Sequence, residues 1–226
     1  MTATLPTELK NLNLKWLMLL ALLLLAGCTS DTTTWHQKFT VTVETPDGIK
    51  TGSSVIEVRY AYSGPRSMGN VHAIGFTGEA VVVDLGQGQK LFALVVREDM
   101  KLDIFGIYKQ ALGGVRRDYQ VLAPLIIAHR EKVDIPHERL PMLVTFGDIN
   151  NPASVEKVNP NKLSASFGAG YWLKSVTLQV TDEPVTKGVV EGVLGWMKQK
   201  TIDEMWFDLS SEAKQAIMGM RQPVRR

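Results

Sequence analysis

The chain carries one cysteine in 226 residues, and that scarcity sets its first limits. An exported domain stapled by disulfides needs an even set, and a metal site built on cysteine clusters needs several thiols. Net charge is nearly absent too, at +2, so the chain shows no electrostatic footprint for nucleic acid. The one local excess of positive charge, Arg221, Arg225 and Arg226, reads as a solvated tail. Disorder is excluded by composition, because 45% of residues are hydrophobic and only 21% are charged. No apolar run spans a bilayer either. The longest, residues 16–26, would reach roughly 16 Å as a helix, against a hydrocarbon core of about 30 Å.

What is present starts at the N-terminus. Lys10 and Lys15 outweigh Glu8, and residues 16–26 are apolar without exception. A basic segment, a short apolar run and small residues after it make up a secretory signal peptide. The run ends in Leu25-Ala26-Gly27-Cys28, which resembles the lipobox of bacterial lipoproteins. The resemblance implies diacylglyceryl transfer to the Cys28 thiol, cleavage between Gly27 and Cys28, and N-acylation of the new amine, often by palmitate. It also implies a membrane partner reached through those acyl chains. Thr29 stands where an aspartate is associated with inner-membrane retention, so the expected location is the periplasmic face of the outer membrane. The competing reading is an ordinary signal peptide followed by a chance cysteine.

Three segments are expected: a lipoprotein signal peptide over 1–27, an acylated N-terminus and polar tether over 28–34, and a single α+β globular domain over 35–226. Phe39, Val41 and Val43 alternate with threonines, which is strand periodicity. Thr45-Pro46-Asp47-Gly48 is a turn, and residues 54–60 form its second strand. A second hairpin pairs residues 79–84 with 91–96 through Gly86-Gln87-Gly88-Gln89. Ile104, Tyr108 and Leu112 mark a helix ending at Gly113-Gly114. Residues 122–128 are apolar but short, and fit helix or strand. Residues 143–146 read as a strand entering an Asx-rich turn, and Asn159-Pro160 as a helix start. Residues 172–180 read as a strand with Trp172, Val176, Leu178 and Val180 on one side. Helices are expected over 187–199 and 211–219. The fold class is α+β, with an antiparallel sheet mainly in the N-terminal half and helices packed on one side. Trp35-His36-Gln37-Lys38, Phe146-Gly147-Asp148, Asn151-Pro152, Asn159-Pro160 and Val180-Thr181-Asp182-Glu183-Pro184-Val185-Thr186 together resemble a family of proteobacterial envelope proteins to which no activity is attached.

The residues able to do chemistry form no known signature. His36, His72, His129 and His137 include no pair at metal-binding helix spacing. His129 and His137, with Glu131, Asp134 and Glu138, are either a metal or acid–base cluster or a solvated connection around Pro136. Gly86-Gln87-Gly88 lacks the third glycine of a dinucleotide loop. Asp148 and Asn150 begin like a calcium loop but lack its glycine and terminal glutamate. Ser53, Ser54, Ser164, Ser166 and Ser175 occupy no nucleophile elbow, although a triad can be assembled from distant residues. Asp182, Glu183 and Glu191 are either paired carboxylates or a strand end. Trp196, Met197, Met205 and Trp206 are either core or a partner contact. The expectation is a lipid-anchored, non-enzymatic binding or scaffolding protein without cofactor or metal. The alternative is an anchored hydrolase using a histidine and a nearby carboxylate; a third reading is a small-molecule or lipid carrier.

Overall fold

In the first strand, β1 (Asp31–Thr45), every second residue from Trp35 to Val43 is apolar or amide, and that alternation decides its burial. Trp35, Gln37, Phe39, Val41 and Val43 are buried, while His36, Lys38, Thr40 and Thr42 between them stay partly exposed. The computed structural model describes residues 31–63, 71–96, 103–114, 118–198 and 206–222. Gly27, Cys28, the apolar run before them and Met205 therefore lie outside the described residues. The chain divides into two compact units, one of Met1–Thr32 with Ala61–Ala73 and one of Thr33–Tyr60 with Ile74–Arg226. In the first, the described residues are the ends of three strands.

The protein is α+β, with ten antiparallel-paired strands among the described residues, half of them before residue 94, in two sheets. The first sheet has the order β10-β3-β2-β1-β9-β6, with β2 at Gly48–Ser63, β3 at Val71–Glu79, β6 at Val133–Asp134, β9 at Trp172–Thr181 and β10 at Arg221–Gln222. Pro46 and Asp47 make the β1–β2 turn, and Gly48 follows with φ +103°, as the sequence requires. The second sheet has the order β4-β5-β7-β8. Its hairpin joins β4 (Val81–Gly86) to β5 (Gln89–Ala93) through Gln87 and Gly88, both at positive φ. Strands β7 (Leu143–Phe146) and β8 (Val155–Val158) complete it. A single sheet was expected; two form because the second hairpin pairs with β7 and not with β2.

Helix α1 (Ile104–Ala111) starts at Asp103, whose side chain accepts from the Gly106 N–H at 2.9 Å, and stops before Gly113 and Gly114 at positive φ. The undecided apolar stretch is helix α2 (Tyr119–Ala128). Leu122, Ala123 and Ile126 are its buried residues, a spacing that shares one face in a helix but not in a strand. Asn159-Pro160 does not begin a helix. The Asn159 side chain accepts from the Asn161 N–H at 2.9 Å in a local turn, and helix α3 is only Ser164–Phe167. The helix expected over 187–199 shortens to α4 (Val189–Val193) and a 3₁₀ turn at Gly195–Lys198. Gly192 and Gly195 weaken a continuous helix there, and Trp196 turns inward to donate to Ile149 O at 3.0 Å. Helix α5 (Ser211–Met220) lays Ala213, Ala216, Ile217 and Met220 in one buried cluster with Phe92, Leu94, Met142 and Val144 of the second sheet region. Trp196 is in that cluster, with Met197 and Trp206 packed against it, so core is their role.

Strand β9 departs from strict alternation for an identifiable reason. Its register with β1 runs from His36↔Thr181 to Thr42↔Ser175, then shifts to Val43↔Leu173 and Glu44↔Trp172. Lys174 is the extra residue of a β-bulge, which reverses the facing of the residues beyond it. Leu173 therefore pairs with buried Val43, and Trp172 turns out beside Glu44, 57% exposed. The expected placement of Trp172 with Val176, Leu178 and Val180 is corrected accordingly.

Candidate functional site

The residues most able to do chemistry meet where α2 returns to the first sheet. Helix α2 ends at His129, whose backbone N–H donates to Leu125 O and Ile126 O. Four residues on, β6 pairs with β9 through Val133↔Leu178. The intervening loop is held by Gln179, which donates to Arg130 O at 2.9 Å, and by an Arg130–Asp182 ion pair at 3.0 Å. An open cleft of about 360 Å³ results, lined by His129, Glu131, Lys132 and Asp134, with Ile107 and Gln110 from α1. The His129 ring stands edge-on to Tyr108 at 6.0 Å. Tyr108 is fully buried and donates to Gln37 Oε1 at 3.1 Å. Burial pushes its phenol up to about 12, against a smaller opposing effect of the Gln37 bond, so it stays protonated at neutral pH.

The cleft gathers His129, Glu131 and Asp134 as the sequence spacing suggested; His137, in the exposed 3₁₀ turn His137–Arg139, does not line it. His72 is in β3. His36 is on β1, where Nδ1 is 2.7 Å from Glu183 O and Nε2 is 3.9 Å from a Glu57 carboxylate oxygen. A carbonyl only accepts, so Nδ1 carries the proton in that bond. Among the described residues, no group of three or more His, Cys, Asp or Glu side chains is placed to hold a metal ion. No described serine hydroxyl is bonded to a histidine; Ser54 instead donates to Glu79 O at 2.8 Å.

Asp182 and Glu183 are not a carboxylate pair. Asp182 binds Arg130, while Glu183 accepts from Lys38 Nζ at 2.8 and 3.0 Å. That lysine bond holds the Glu183 carboxyl below the ordinary glutamate range. Both acids begin a strap running from the end of β9 to α4. Its Thr186 donates its N–H to Val55 O and accepts the Val55 N–H on Oγ1, and its Gly188 and Val190 N–H groups both donate to the Glu79 carboxylate. Glu79 is only 4% exposed. Sequence reasoning missed it as an anchor, because a glutamate at the edge of an apolar run carries no mark of the two amides it meets 109 and 111 residues later. Asp148 is also structural, accepting from the Asn150 N–H at 2.9 Å in an Asx turn. In the second hairpin, the Lys90 bond first and the Gly86 N–H second hold the Asp84 carboxyl low.

Comparison with protein families, with curated proteins and with solved structures finds no match to this chain.

Proposed function

We propose that the protein is a lipoprotein of the bacterial envelope, anchored by diacylglyceryl and N-acyl chains on Cys28 at the periplasmic face of the outer membrane, where it binds or scaffolds another envelope component. One observation carries the anchor: the only cysteine of the chain closes Leu25-Ala26-Gly27-Cys28 directly after a basic segment and an eleven-residue apolar run. Two or more acyl chains give lasting attachment where one does not, at about 0.8 kcal/mol per buried CH₂. A binding role is supported by how the reactive side chains are engaged. His36, Ser54, Glu79, Asp182 and Glu183 each make a bond that fixes a strand, a loop or the strap.

Expression of the chain and of Cys28→Ala in a Gram-negative host with labelled fatty acid, followed by membrane fractionation, tests the anchor. Label and outer-membrane retention are expected in the parent alone. Equal, unlabelled soluble material from both would sink the reading. The rival reading, an anchored hydrolase, rests on the shared cleft of His129, Glu131 and Asp134. It requires His129→Gln to abolish turnover of a chromogenic ester by the parent without changing its unfolding midpoint.

A further inference from the structure

We propose that helix α2 lies in the headgroup layer of the bilayer, turning the start of the first sheet toward the membrane; this rests on the anchor reading above. The helix is apolar on both sides. Leu122, Ala123 and Ile126 face the core. The opposite side of a water-facing helix carries charged or polar residues. Here it presents Val121, 53% exposed, with exposed Pro124 and Ala128. Of its ten residues, Gln120 alone has an amide and none is charged.

Chain length limits how far this surface can lie from the anchor. At one end of α2 the Tyr119 ring lies 4.7 Å from Phe105, which stands edge-on to Trp35 at 6.0 Å. At the other end, Arg130 binds Asp182, the residue after Thr181, whose register partner is His36. Both ends of the helix are thus tied to the stretch of β1 around Trp35 and His36. Trp35 follows Cys28 by seven residues, a chain length that reaches at most about 25 Å. The β1–β2 turn at Pro46-Asp47 is a further eleven residues along, roughly 36 Å away at strand rise.

An uncharged apolar face within tether reach of acyl chains fits a phospholipid surface. Arg116 and Arg117 precede the helix in sequence and Lys132 follows it, balanced by Asp118, Glu131 and Asp134, while Arg130 is paired with Asp182.

The test uses the full lipidated chain, in which the Cys28 thiol is consumed by its thioether. Val121→Cys then offers the one free thiol for an environment-sensitive fluorophore, and Asp47→Cys serves as the distant control. The labelled proteins are reconstituted in vesicles of phosphatidylethanolamine and phosphatidylglycerol, with and without nitroxide-bearing lipid. The Val121 probe is expected to lose roughly half its emission to the nitroxide lipid, as immersion in the headgroup–acyl boundary requires, and the Asp47 probe none. A lipidated protein whose Val121 probe ignores the nitroxide overturns the proposal. So does concentration-dependent dimerisation of Cys28→Ala that shields Val121, which would make a second copy the occupant. A chain that takes up no fatty acid overturns the anchor reading itself, and this one with it.

Discussion

At the scale of single residues, the buried polar pair Gln37–Tyr108 shows most clearly how this core is specified. Gln37 is fully buried; its carbonyl accepts from Tyr108, while its Nε2 has no partner among the described residues. Tyr108→Phe leaves that carbonyl unsatisfied as well and is expected to cost about 1–3 kcal/mol in denaturant unfolding. Adding Gln37→Leu removes the stranded amide, so the double variant should recover most of that loss; equal destabilisation of both variants would contradict the argument. Tyr108 also sets an alkaline limit. Its folded pKa, about 12, exceeds the ordinary value of 10.0, so the stabilisation is complete below pH 10 and is lost as pH rises toward 12. Over that window unfolding experiments should show a loss on the order of 2–3 kcal/mol that Tyr108→Phe abolishes. The alternation that buries position 37 was legible in the sequence. Its partner was not, because Tyr108 is 71 residues away.

At the scale of elements, helices and strands form where hydrophobic periodicity and turn chemistry agree, and depart where a glycine or a bulge intervenes. The two hairpin turns and helix α1 were legible because Asp-Gly, Gln-Gly and Gly-Gly sit where positive φ is required. The bulge at Lys174 was not, since an extra residue looks like imperfect alternation until the partner strand is known. Helix α5 depends on close approach at one position. A Cβ at Gly219 would lie 2.8 Å from Val96 Cγ2 and 2.9 Å from Leu94 Cδ1. Gly219→Val should therefore push α5 off the second sheet, lowering stability by about 1–3 kcal/mol and exposing the Val95 amide, which donates to Gly219 O, to hydrogen exchange. Unchanged protection at Val95 would show that the helix accommodates the side chain.

At the scale of the whole molecule, the strap after β9 carries the chain from the first sheet into the core of the second. Lys38 and Glu183 hold its start, Val55 and Thr186 its middle, and the Glu79 carboxylate its end, where Val190 enters that core. Glu79→Ala strips two amides of a charged acceptor and should cost about 3 kcal/mol, while Glu79→Gln, keeping one acceptor oxygen, should cost about half. Faster exchange at Gly188 and Val190 in the alanine variant, with β1 amides unaffected, is the expected signature; uniform destabilisation would mean that the strap only follows the fold.

The sequence by itself determined the α+β class, most strands and the turns between them, because these follow from local periodicity and backbone preference. It also contains the whole case for an anchor at Cys28, which a processing enzyme would read as an extended segment. Only the tertiary structure decided that the strands form two sheets, that Trp172 faces out, and that Asp182 and Glu183 part to different cations. Each of these depends on which distant segment supplies the partner, and residue spacing along one chain does not encode that choice.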